Sequence, residues 1–141
     1  MRVLDVIVSL PYDFICPSQV ETEIAAGVEM CYPVSFPPWI KVSLLKNSLS
    51  ALSLANLDAG EAAVIELALE QGIELVCLDE LKGRRAALAA GLRVIGSLGL
   101  IGKAKTIGLI SNVRPLVERA EISGIYYDRK LVERFLGEMG E

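Results

Sequence analysis

Two carboxylates and a basic run fall within residues 57–100 at spacings that chemistry can use. Glu61 lies in the first turn of a helix opened by Asp58-Ala59-Gly60-Glu61, and Asp79 lies at the carboxyl end of the strand that follows. Lys82, Arg84 and Arg85 then open the next helix. In open α/β sheets, ligands bind outside the carboxyl ends of strands. Acids and cations meeting there suggest a site for a divalent cation and a phosphate, because carboxylate oxygens are the ligands that hard cations select. Histidine is absent from the chain, which removes the usual zinc ligands, the Ser/His and Cys/His nucleophile systems and the commonest general base. Cys16, Cys31 and Cys77 are odd in number, widely spaced and set in apolar sequence, so free, buried thiols are expected.

Each of these residues also has a structural duty open to it. Asp58 and Glu61 form a capping-box pattern, in which Asp58 accepts a backbone N–H and Glu61 reaches back to the cap. Asp79 has the position of a helix cap after a strand. Lys82, Arg84 and Arg85 read equally as a solvated first turn, although cations there oppose the helix dipole. Ser97 reads as the cap of the helix after the last strand.

The elements that must position these groups alternate along the chain. Residues 3–10 are apolar, a run whose period fits helix or strand. Residues 13–16 read as a short strand, and Pro17-Ser18 opens a helix that carries Glu21 and Glu23 and ends at Gly27. A proline-rich connection over residues 32–38 leads to an edge strand over 39–45. The helix after Asp58 stops at Gly72. Strand 73–78, helix 81–90, strand 92–95 and helix 97–106 repeat the alternation, and such βα units in succession imply parallel strands covered by helices. Asn112 is placed to cap a helix containing Pro115, Gly124-Ile-Tyr-Tyr127 reads as a turn, and Asp128 is placed to cap a helix ending near Gly137.

Composition bounds the function classes. The chain has 141 residues, of which 52% are hydrophobic and 23% charged, a balance that suits one compact domain and argues against disorder. No apolar run reaches the roughly 18 residues that a membrane span needs. The amino terminus lacks the order of a signal peptide, so a cytoplasmic location is expected. The net charge of −4 conceals a polarity: residues 1–80 carry 3 Lys/Arg against 12 Asp/Glu, whereas residues 81–141 carry 11 against 6. A nuclease needs both signs, acids for metal and cations for phosphate, whereas the acidic total disfavours strong nonspecific nucleic-acid binding.

The run LDAGEAAVIELALEQGIELVCLDELKGRRAALAAGLRVIGSLGLIGKAKTIGLI resembles the carboxyl-terminal half of a PIN-like domain, in a prokaryotic subfamily related to toxin ribonucleases. Upstream, LPYDFICPSQVETEIAAG resembles that group's strand-Pro-helix segment with its ExxxG ending. The resemblance implies an α/β fold, three-layer α/β/α with a mostly parallel central sheet, formed by residues 1–141 as a single domain. It also implies a metal-dependent ribonuclease that uses Mg2+ or Mn2+ to hydrolyse RNA. Its metal and catalytic acids would be Glu23, Glu61 and Asp79, with Glu80 assisting the metal. Lys82, Arg84 and Arg85 would contact the RNA backbone, and Lys103 and Lys105 would extend that path.

The chain departs from the family pattern at its start, which reads as lying inside the family's first helix. The first strand and its aspartate are therefore expected to be missing, Asp5 belonging to a helix. This keeps three outcomes open: an active ribonuclease, the toxin of a toxin-antitoxin pair held by an antitoxin protein, and a catalytically silent nucleic-acid or protein-binding module. A homodimer or other homo-oligomer is one expected remedy for the missing strand.

Overall fold

The computed structural model describes residues 2–29, 36–49 and 57–141, which fall into two compact units, residues 13–95 and residues 1–12 with 96–141. The first unit opens with β1 (Ile15–Pro17), α2 (Ser18–Glu29) and β2 (Lys41–Ser43), and α1 (Val3–Val8) precedes it in the chain. Strand β1 pairs in parallel with β2, with Cys16 opposite Val42. Phe14 and Trp39 meet edge to face just before the two strands, at 5.3 Å between ring centroids. Helix α2 runs through Gly27 instead of ending there, since an interior glycine costs only about 1 kcal/mol. Of the expected proline-rich connection, residues 32–35 lie outside the described residues.

The second half of this unit comprises α3 (Ala59–Gln71), β3 (Leu75–Cys77), α4 (Leu81–Ala89) and β4 (Arg93–Ile95). Asp58 caps α3 by accepting the N–H of Glu61 at 2.8 Å. Gly72 ends the helix in the left-handed conformation at φ 67°, where a side chain would be strained. Strands β3 and β4 are parallel, with Val76 opposite Val94. Helix α3 is apolar on most of its circumference because it packs against α2, β1, β3 and α4. Ile65 and Ala68 meet Val76, Leu78, Ala87 and Leu92 in one core cluster, each large aliphatic side chain contributing about 1.5–3 kcal/mol.

Among the described residues the strands form two separate two-stranded parallel sheets, β1–β2 and β3–β4. Cys77 is exposed and Cys16 half-buried, contrary to the expectation of burial, and Cys31 lies outside the described residues. The Cys77 thiol is nevertheless desolvated, which together with the Asp79 charge raises its pKa to about 11.

The other unit is helical: α1, α5 (Ser97–Thr106), α6 (Arg114–Ile122) and α7 (Arg129–Glu138). Asp5 lies on α1, as the helical reading of residues 3–10 requires. Helix α1 packs on α5 and α6. Gly102 lets α7 come close, since a Cβ there would stand 3.0 Å from the Phe135 ring. Asp128 caps α7, accepting from the N–H groups of Lys130 and Leu131. Two expected caps differ. Val113, not Asn112, occupies the N-cap of α6, and its open amides are taken by Glu141, which accepts from Val113 and Arg114. Gly96, not Ser97, precedes α5, while Ser97 Oγ lies 2.6 Å from the Tyr127 hydroxyl.

Candidate active site

The first turns of α3 and α4 bring the acids of the first unit together. Glu23, on α2, accepts the N–H of Gly60 at 2.9 Å. This carboxylate therefore satisfies one of the open amides at the start of α3, next to Glu61. Gly60 has no Cβ because Glu23 occupies that space: an added methyl would meet both carboxylate oxygens.

Glu61 does not close the capping box. Asp58 makes its half of the pattern, but the Glu61 carboxyl lies against the Asp58 carboxyl and the Gly83 N–H of α4. Gly83 is buried, and a Cβ on it would run into Glu61 Oε2. That same oxygen is buried without a hydrogen-bond partner. Desolvation first, then the Asp58 hydrogen bond and the charges of Asp58 and Glu80, raise the Glu61 pKa to about 7, against the opposing Gly83 amide. Asp58 moves the other way, lowered by the N–H and side chain of Glu61. The pair thus favours a proton on Glu61 over one on Asp58.

Asp79 and Glu80 are exposed between β3 and α4. Glu80, not Asp79, occupies the N-cap of α4, and its side chain makes no capping bond. Arg84 is half-buried, and its Nη1 donates to the Leu78 carbonyl at 3.1 Å, where β3 ends. Lys82 and Arg85 are exposed. Lys103 and Lys105 belong to the helical unit, where the Lys105 ammonium is engaged by Glu141 at 2.8 Å and the Met139 carbonyl at 2.6 Å.

Among the described residues no three His, Cys, Asp or Glu side chains are grouped closely enough to hold a metal ion by themselves. The chemistry of the pair at Glu61 nevertheless suits a hard cation. Its donors are all oxygens, and one buried oxygen lacks a hydrogen-bond partner. Magnesium keeps several waters and is commonly held by one or two carboxylates together with substrate phosphate, so the residues present fit the ion. Residue reading alone pairs Asp58 with Glu61 only as a capping box, and overlooks the contact between their carboxyls and the two glycines that admit the carboxylates. The available signal was Gly60 and Gly83 inside helices, positions where alanine would be about 0.5–1 kcal/mol better unless something approaches the backbone.

Against known proteins, the profile of a family described as a PIN domain matches residues 1–141. No curated protein and no solved structure matches the chain significantly.

Proposed function

Because the chain belongs to the PIN domain family, we propose that it is a metal-dependent ribonuclease that hydrolyses RNA phosphodiester bonds. The observation that carries the reading is Glu61, whose buried oxygen has no donor and whose pKa is raised to about 7 among neighbouring carboxylates. Structural carboxylates are seldom left so; a site built to receive a cation leaves such a deficit. Glu23, Glu61 and Asp79 would hold Mg2+ or Mn2+, with Glu80 assisting. The bound ion would lower the pKa of a water and offset charge on the phosphoryl oxygens. Glu23 positions the first turn of α3 through Gly60, and Asp58 holds Glu61 in place. Lys82, Arg84 and Arg85 would orient the RNA through its phosphates without reading its sequence.

The same proposal carries the three-layer α/β/α arrangement, the cytoplasmic location, the toxin role with an antitoxin, and a homo-oligomeric state. What supports these is the family resemblance; among the described residues no helix is long and apolar enough to cross a membrane. A second reading, a catalytically silent nucleic-acid or protein-binding module, is favoured by the lack of any three-acid group among the described residues.

Manganese titration calorimetry joined to cleavage of end-labelled single-stranded RNA separates the readings. The nuclease reading requires manganese binding and chelator-sensitive cleavage, both lost in Glu61→Gln. Manganese or RNA binding without cleavage would establish the silent module, and no manganese binding would end the metal-dependent mechanism.

A further inference from the structure

The helical unit carries a groove that the ribonuclease reading does not use. A cavity of about 480 Å3 lies between α6 and α7, with Val117, Val132 and Leu136 in its lining. A second hollow of about 390 Å3 adjoins it at the α6–α7 turn and shares Glu121 and Arg129 with it. Ile125 and the 87% exposed Tyr126 line the second hollow, and Ile122, which follows Glu121 in the chain, is 85% exposed. Large apolar side chains gathered at one place on a surface mark an interaction site more often than isolated ones do.

The charges around the groove select the occupant. The Arg114 guanidinium donates to the Glu141 carbonyl oxygen at 2.9 Å and keeps its positive charge. The Glu141 carboxylate is spent on Lys105 and on the Val113 and Arg114 amides. Arg129 pairs with Glu133 at 3.6 Å. Glu118 and Glu121 then remain on the rim with no hydrogen bond or ion pair among the described residues, three positions apart on one helix face. Acids outnumber cations in the lining of the larger cavity, Glu118, Glu121, Glu133 and Glu141 against Arg114 and Arg129, so its charge is negative on balance. A phosphate backbone is repelled by such a rim, whereas lysine or arginine side chains are drawn to it.

We propose that the α6–α7 groove is a docking site for a basic amphipathic helix of a protein partner. Apolar side chains spaced three and four apart would enter the groove beside Ile122 and Tyr126, and Lys or Arg on the flank would reach Glu118 and Glu121. The groove shares no residue with the acids around Glu61 and stands or falls independently of the nuclease reading.

The test is fluorescence anisotropy with a labelled Leu/Lys model helix of about five turns, a Leu/Glu helix of the same pattern, and a scrambled Leu/Lys peptide. The Leu/Lys helix is expected to bind with a micromolar Kd. Its affinity should fall at least about tenfold in Glu118→Lys/Glu121→Lys, and by a similar factor in Ile122→Ser/Tyr126→Ala. Reversing two exposed acids elsewhere, Asp5→Lys/Glu74→Lys, alters the net charge equally and should leave it unchanged. All substituted residues are exposed, and circular dichroism checks that each variant folds. Absence of binding, equal binding of the scrambled or Leu/Glu peptide, or equal losses from both charge reversals would overturn the proposal. So would single-stranded RNA binding weakened by Tyr126→Ala, which would make the patch a base-stacking surface. Self-association abolished by Ile122→Ser would instead assign it to a second copy of the chain and overturn the proposal as well.

Discussion

At the scale of single residues, Glu61 bears two demands at once. It stands where a capping residue would, and its N–H fills that role with Asp58, yet its carboxyl is directed at Gly83 and Asp58 instead of the cap. Its folded-state pKa of about 7 lies above the ordinary carboxylate value of 4.5. A raised pKa means that the folded protein binds the proton more tightly than the unfolded chain does. This contribution to stability is complete below pH 4.5 and is lost as pH rises to about 7. Thermal melts should therefore show a decline across that window, and Glu61→Gln should flatten it while leaving the acid limb in place. Adding MgCl2 at pH 8 should restore part of the lost stability in the unaltered protein and none in Glu61→Gln. Equal restoration in both would separate magnesium from this carboxylate.

At the scale of elements, glycine inside α4 exchanges helix propensity for access. Gly83→Ala would gain about 0.5–1 kcal/mol of helix stability, and the methyl would displace only the end of the Glu61 side chain. A melt should show unchanged or higher stability, whereas manganese affinity and RNA cleavage should drop sharply. A loss of both stability and activity would mean that Gly83 serves packing alone. Helix α6 depends on a distant cap. Desolvation pushes the Glu141 pKa up, but the Lys105 side chain and the Val113 and Arg114 amides outweigh it and bring it to about 2. A depressed pKa contributes stability above the ordinary value of 4.5 that is lost as pH falls through about 2. Glu141→Gln should destabilise the protein at pH 7, by about 1 kcal/mol on the scale of helix caps, and the difference should disappear near pH 2. Chemical denaturation at the two pH values measures it.

At the scale of the whole molecule, charge is divided by sequence position, 3 Lys/Arg against 12 Asp/Glu in residues 1–80 and 11 against 6 in residues 81–141. The total of −4 weakens long-range attraction to nucleic acid, so RNA binding should rest on a few local pairings of cation with phosphate. Single-stranded RNA affinity measured between 50 and 200 mM salt should then have a shallow slope. Lys82→Glu/Arg85→Glu should reduce the slope by about 0.7 for each phosphate no longer neutralised. A slope that does not change would remove these residues from the RNA path.

The amino-acid sequence by itself determined most of the elements. Helices α3 and α7 lie within a residue or two of where Asp58, Gly72, Asp128 and Gly137 place their ends, because capping and glycine stops act over a single turn. The PIN family membership was likewise carried by local runs. Tertiary structure decided what those local rules do not reach. The Glu61 carboxyl turns from the cap backbone towards Gly83, 22 positions along the chain, whose missing side chain leaves room for it. Asn112 and Ser97 lose their expected caps to Glu141 and to contact with Tyr127. In each instance the deciding partner lies far along the chain, and the competition is settled only when folding brings the rivals within hydrogen-bonding or packing distance.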